Sequence, residues 1–189
     1  MLVRPADFRP AVNYDKGRGG TYVDHIVIYC TRTTGIQTTV QICQSPLTKR
    51  SYHFVVGRDG EVFQTVHITD TAWHASNVSL PLANERSIGI ALVGVGNVFT
   101  SRQYSSLYKI IVLLIKILGI EEEGILGYED IYLSDIVCPG PNFSWKTLLD
   151  KLFPFSNHSC SPVKLNRASS RISIPRGLLN KNIYGIGKV

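Results

Sequence analysis

Two hydrophobic periods alternate along this chain, and the switch between them predicts its elements. Val23 to Tyr29 and "SIGIALVG" (87 to 94) are largely apolar runs that read as buried strands. "YHFVV" (52 to 56) and "EVFQT" (61 to 65) flank Gly57-Arg58-Asp59-Gly60, a run-turn-run that predicts a hairpin. The period then changes. Leu107, Ile110, Ile111, Leu114, Ile117 and Leu118 recur at helical spacing, with Lys109 and Lys116 left for solvent. Thr100 and Gln103 form a capping box ahead of this helix, and Gly119 stops it. Shorter helices are expected over Thr38 to Gln44, ended by Pro46, and over about Ser144 to Phe153.

Alternating strands and helices predict an α/β layer architecture, a central mixed β-sheet flanked by helices. Residues 1–22 read as an irregular lead-in, because "NYDKGRGG" is turn chemistry. Residues 66–86 read as one long loop containing "AWHASN", of the kind more often functional than idle. No internal repeat is visible. The most apolar stretch, Ile110 to Leu118, is interrupted by Lys116 and falls far short of the roughly 20 residues that span a bilayer, so it is a core helix. Residues 1–12 carry Arg4, Asp7 and Arg9 without an apolar centre, so no signal peptide is expected.

Charge divides the chain. Its net charge is +6, yet residues 1–153 hold 14 basic and 14 acidic side chains. The excess lies in residues 154–189, which contain Lys164, Arg167, Arg171, Arg176, Lys181 and Lys188 and no acidic residue. A neutral body argues against a broad nucleic-acid face. The tail lacks helical periodicity and is rich in small polar residues, so its composition predicts an extended or disordered segment. Arg167, Arg171, Arg176 and Lys181 make it a candidate docking arm for a protein partner. The four cysteines form no CxxC pair, and their spacing leaves both the redox compartment and a Cys30–Cys43 bridge open.

Three segments carry a resemblance. They are "HIVIYCT", then "SYHFVVGRDGEVFQTVHITDTAWHASN" continuing to "ERSIGIALVG", then "ILGYEDIYLSDIVCPGPNFSW". Together they resemble the zinc-dependent N-acetylmuramoyl-L-alanine amidases, a superfamily that includes phage endolysins, muropeptide amidases and peptidoglycan recognition proteins. The likeness runs over about residues 10 to 152 in the family's order. It implies a single amidase-like domain over residues 23–153.

The resemblance also implies a zinc site with three protein ligands and an open position for water. Carried over, the ligand positions are Tyr29, Tyr128 and Cys138. Cys138 alone is a usual zinc ligand. A phenol, with an ordinary pKa near 10, is a poor one and reaches further than imidazole. The family's oxyanion-supporting lysine position holds Ile136, and the position where some members carry a catalytic Glu holds Ala91. Tyr52 and His74 match family residues; with Trp73 and Asn77 they are the cleft candidates, His74 near the rim. His74 and Cys138, with Asp130 or Asp135, make an incomplete replacement ligand set. His25, His53 and His67 read as structural.

From these positions the two tyrosine rings are expected to meet where zinc would sit, with no metal bound. The leading expectation is then a catalytically inactive, structural subunit of a larger assembly such as a phage particle, docked through its tail. A non-hydrolysing peptidoglycan-binding module is the alternative, and an active amidase with a rebuilt metal site the third.

Overall fold

β3 (His25–Cys30) is apolar at nearly every position because both of its edges and both of its faces are covered. It pairs in parallel with β7 (Ser87–Leu92) on one side and with β8 (Ile125–Gly127) on the other. β7 in turn pairs in parallel with β4 (Phe54–Val56), which forms the expected antiparallel hairpin with β5 (Val62–Gln64). The edge strand β1 (Asp7–Phe8) runs parallel to β5. The result is a six-stranded mixed sheet of order β1-β5-β4-β7-β3-β8. A separate ribbon joins β2 (Tyr14–Asp15) to β6 (Thr71–Ala72). The computed structural model describes residues 6–76, 78–96, 98–133 and 137–155. Asn77, Ile136 and the tail residues Arg167, Arg171, Arg176 and Lys181 lie outside them.

Alternation along the strands sends side chains to two different layers. Ile26, Ile28, Phe54, Val56, Ile88, Ile90 and Leu92 pack beneath α3 (Ser101–Leu118), against Leu107, Ile111 and Leu114. The intervening Val27, Tyr29 and Ala91 face the other way, toward Tyr52, Leu126, Ile131 and Cys138. α3 begins with both bonds of the capping box in place, Gln103 N–H to Thr100 Oγ1 at 3.1 Å and Thr100 N–H to Gln103 Oε1 at 3.0 Å. It ends at Gly119, whose φ of 70° only glycine adopts without strain. α1 (Ile36–Gln44) and α5 (Trp145–Leu152) fall close to their expected positions. The architecture is therefore a single mixed α/β domain with a central sheet flanked by helices.

Three expectations need correction. The supposed loop 66–86 contains β6 and a short helix, α2 (Ala83–Arg86). The lead-in is not wholly irregular, since it supplies β1 and β2. β8 and the one-turn helix α4 (Tyr128–Ile131) have no counterpart in the pattern reading, being too short to display a period. Among the described residues, no helix is long and apolar enough to cross a membrane.

Candidate functional site

The parallel strands β3, β7 and β8 end together, the place where open α/β sheets hold their ligands. Tyr29, next to last in β3, pairs with Ala91 of β7 and is only 3% exposed. Tyr128 follows β8 directly and opens α4. Their rings meet with centroids 4.7 Å apart and planes tilted by 36°. Tyr52 closes the other flank of Tyr29 at 5.2 Å, and Tyr132 extends the stack beyond Tyr128 at 4.9 Å. Such ring pairs add packing energy beyond the area they bury.

The polar ends of these rings are committed elsewhere. His74 lies behind Tyr29 rather than at a rim, with 6% of its surface exposed, and its Nδ1 is 2.9 Å from the Tyr29 hydroxyl. The Ser87 hydroxyl donates to the Ala83 carbonyl, so it presents a lone pair to His74 Nε2 at 3.5 Å. That arrangement puts the imidazole proton on Nε2, and Nδ1 accepts from Tyr29. The Tyr128 hydroxyl donates to the Ser76 carbonyl at 3.0 Å. Gly89 makes room for the imidazole, because a Cβ there would lie 2.6 Å from His74 Cγ. Asn84 Oδ1 holds the His74 loop by accepting from the backbone N–H groups of His74 and Ala75.

Behind His74 sits a second buried imidazole, His53, at a ring distance of 5.6 Å. Its Nδ1 accepts from the Gly89 N–H at 3.0 Å, which leaves Nε2–H to face the Asp70 carbonyl at 3.1 Å. The Arg18 guanidinium packs beside the same ring while donating to the carbonyls of Ile68, Glu85 and Ser87. Burial lowers the Arg18 pKa to about 10. Burial first, and the Arg18 cation second, hold His74 down to about 3 and His53 well below the ordinary histidine value. Both imidazoles are neutral at pH 7.

Cys138 is buried at the same strand ends. Its Sγ accepts from the Cys30 N–H at 3.1 Å, and its own N–H donates to Glu129 Oε2 at 3.0 Å. Burial pushes its thiol up to about 12. Cys30, Cys43 and Cys138 are all free and buried. Burial also raises the phenols of Tyr29, Tyr52 and Tyr128, for Tyr29 with Tyr52 and Tyr128 as the next causes.

Zinc requires deprotonated sulfur or oxygen donors, or neutral imidazoles with a free lone pair. Tyr29 donates its hydroxyl hydrogen to His74 Nδ1, Tyr128 donates its own to the Ser76 carbonyl, and Cys138 Sγ is turned to the Cys30 N–H. The Nδ1 lone pairs of His53 and His74 already accept hydrogen bonds. The residues at the family's ligand positions therefore do not fit the ion. Among the described residues, no three His, Cys, Asp or Glu side chains converge on a point where a metal could be held.

Of the other sequence candidates, Tyr52 is buried and Ala91 lies inside the sheet. Trp73 is half-buried, with its indole N–H donating to Asp15 Oδ2 at 2.7 Å. His25 bonds Asp24, and His67 stacks against Phe8 at 4.7 Å. Two residues escaped the sequence reading. Arg18 sits in a stretch that reads as turn, and its carbonyl partners leave no mark in the sequence. Arg50 is exposed and lies within electrostatic reach of Tyr29, Tyr52 and Tyr128. Its place directly before "SYHF" was the available signal. A groove of about 490 Å³ between the β1–β5 edge and α3 touches none of these residues.

Comparison with known proteins places this geometry. Residues 19–141 match the model of the N-acetylmuramoyl-L-alanine amidase family, whose members are typically zinc-dependent. The chain is 38% identical over 96 residues to the 1,6-anhydro-N-acetylmuramyl-L-alanine amidase AmpD of Enterobacter cloacae, covering 48% of this chain and 51% of that protein. To AmpD of Escherichia coli K12 it is 32% identical over 132 residues, covering 67% of this chain and 70% of that one. It thus spans from about half to over two thirds of these relatives' length. A crystal structure of selenomethionine AmpD superposes with a TM-score of 0.69 at 24% identity, over 78% of this chain and 94% of that one, which shows a shared fold. The relatives are named as amidases, and this overturns the expectation of a catalytically inactive structural or virion subunit. The altered positions Tyr29, Tyr128, Ile136 and Ala91 weighed too heavily in that expectation against a likeness running through the whole domain. The chain belongs to the N-acetylmuramoyl-L-alanine amidase family.

Proposed function

We propose that this chain hydrolyses the amide bond joining N-acetylmuramic acid to L-alanine in peptidoglycan fragments. The observation that carries the reading is the 32% identity to E. coli AmpD across 67% of the chain. Position supports it: Tyr128, Tyr132 and Arg50 gather near the carboxyl ends of β3 and β8, where a ligand of this fold class enters. A muramyl peptide carries free carboxylates, and the exposed Arg50 guanidinium is suited to meet one. Ring faces of Tyr128 and Tyr132 offer an apolar platform for the sugar. The side chains at the family's ligand positions do not fit zinc.

The test is direct. Purified full-length chain is incubated with a 1,6-anhydro-N-acetylmuramyl peptide, and the products are separated by mass. Release of the free peptide with a new α-amino terminus is the expected result. Intact substrate, in the presence of protein shown to be folded by circular dichroism, would overturn the proposal.

A further inference from the structure

We infer that the packed rings of Tyr29 and Tyr128, with His74 hydrogen-bonded to Tyr29, form a plug that closes the family's metal position, so that Tyr29, Tyr128 and Cys138 do not bind zinc in this chain. The inference is independent of the amidase reading, which concerns the bond cleaved and not the group that activates water.

Four observations carry it. Tyr29 is buried between Tyr52 and Tyr128, at 5.2 and 4.7 Å, so an ion entering there would have to displace a ring. The Tyr29 hydroxyl is donated to His74 Nδ1 at 2.9 Å, which consumes both the phenol and the imidazole lone pair in one bond. Tyr128 turns its hydroxyl away from the cluster, to the Ser76 carbonyl. Cys138 Sγ points into the backbone of Cys30, accepting from its N–H at 3.1 Å. Each polar atom has a partner, and the assembly is complete without an ion. Of the buried side-chain nitrogens and oxygens described, none lacks a hydrogen-bond partner. Gly89 is the backbone counterpart of the plug, since any side chain there would push His74 off Tyr29.

Metal content tests this without substrate. The full chain is purified from zinc-supplemented medium, dialysed and analysed for bound zinc, alongside Tyr29→Phe, Cys138→Ser and the double variant Tyr29→His/Tyr128→His. A structural or catalytic zinc site is stoichiometric, so well below one zinc per native chain is expected, unchanged in Tyr29→Phe and Cys138→Ser. The double variant replaces both phenols by imidazoles beside Cys138, and is expected to gain about one zinc per chain. Cobalt(II) then reports the ligand set, because a thiolate ligand produces an intense charge-transfer band that Cys138→Ser in the same background removes.

About one zinc per native chain, lost in Tyr29→Phe or Cys138→Ser, would overturn the inference. So would a folded double variant that binds no zinc, since the phenols would then not be what closes the site. Zinc retained equally by the native chain and both single variants lies elsewhere and agrees with it. Hydrolysis of a muramyl peptide by zinc-free protein leaves both proposals standing. Absence of hydrolysis removes the functional reading alone.

Discussion

The two faces of the central sheet are built on different principles, although the same strands supply both. Toward α3 the contacts are aliphatic: Ile26, Ile28, Ile88 and Ile90 meet Leu107, Ile111 and Leu114. These aliphatic side chains need no partner of a particular kind, only a neighbour of the right volume. Toward the other face the same strands send Tyr29 and Ala91, and the packing includes His53, His74, Tyr52 and Cys138. There Tyr29, Tyr52, His53 and His74 carry polar atoms that must be paired among the aliphatic neighbours, because an unpaired one costs about 1–3 kcal/mol. One face derives its stability from area and the other from complementarity. Perturbing the two should therefore give effects of different size and different pH dependence.

The largest loss should come from the aliphatic face. Phe54 is fully buried at the centre of the sheet, and truncating Phe54→Ala should cost about 3–5 kcal/mol, transfer and cavity terms together. Urea unfolding followed by circular dichroism measures it. Phe54 does not titrate and packs in the aliphatic layer beneath α3, so the loss should be the same at pH 7.5 and pH 5. A loss that changed with pH would mean the faces are coupled through the sheet and the division is wrong.

The polar face has a pH signature of its own. Unfolded histidines take up a proton near pH 6.5, whereas burial and Arg18 keep His53 and His74 neutral well below that. A group whose folded pKa is lowered leaves stability intact above its unfolded pKa and removes it as the pH falls. Stability should thus be full above about pH 6.5 and decline toward pH 3, by about 1.4 kcal/mol per unit for each histidine. Unfolding curves at pH 7.5, 6 and 5 check this above the range where most carboxylates titrate. Replacing His74 by Gln should shallow the decline by about half; an unchanged slope would place the titration on other groups.

This difference also explains what the sequence revealed. The aliphatic face announces itself by period: α3 and its capping box, β3, β7 and the β4–β5 hairpin all follow from spacing. The polar face has no period. β8 and α4, which deliver Tyr128, are three and four residues long, too short to repeat. Arg18 reads as part of a turn because its partners are the carbonyls of Ile68, Glu85 and Ser87, and carbonyls look alike in every sequence. His74 was expected at a rim, and only the space left by Gly89 explains why it lies behind Tyr29. Recognition of family motifs reached residues that periodicity could not, which is how Tyr29, Tyr128 and Cys138 came to be compared at all. The altered residues within those motifs misled where they were taken to decide the function of the whole domain.

The smallest effect is the most specific to the polar face. Tyr29→Phe keeps the ring and its contacts with Tyr52 and Tyr128 but removes the hydroxyl that His74 Nδ1 accepts. The buried lone pair left behind should cost about 1–2 kcal/mol, with no change in the urea m-value because the surface exposed on unfolding is the same. A double-mutant cycle with His74→Leu isolates the bond. Once the imidazole is gone, the phenylalanine ring is the better neighbour for an apolar side chain, so Tyr29→Phe should cost little or nothing in that background. A coupling energy of about 1 kcal/mol or more is expected between the two positions. If the two losses instead simply add, the Tyr29–His74 bond contributes nothing net. The polar face would then be held by ring packing alone, and the contrast between the two faces would reduce to the shape of the side chains rather than their chemistry.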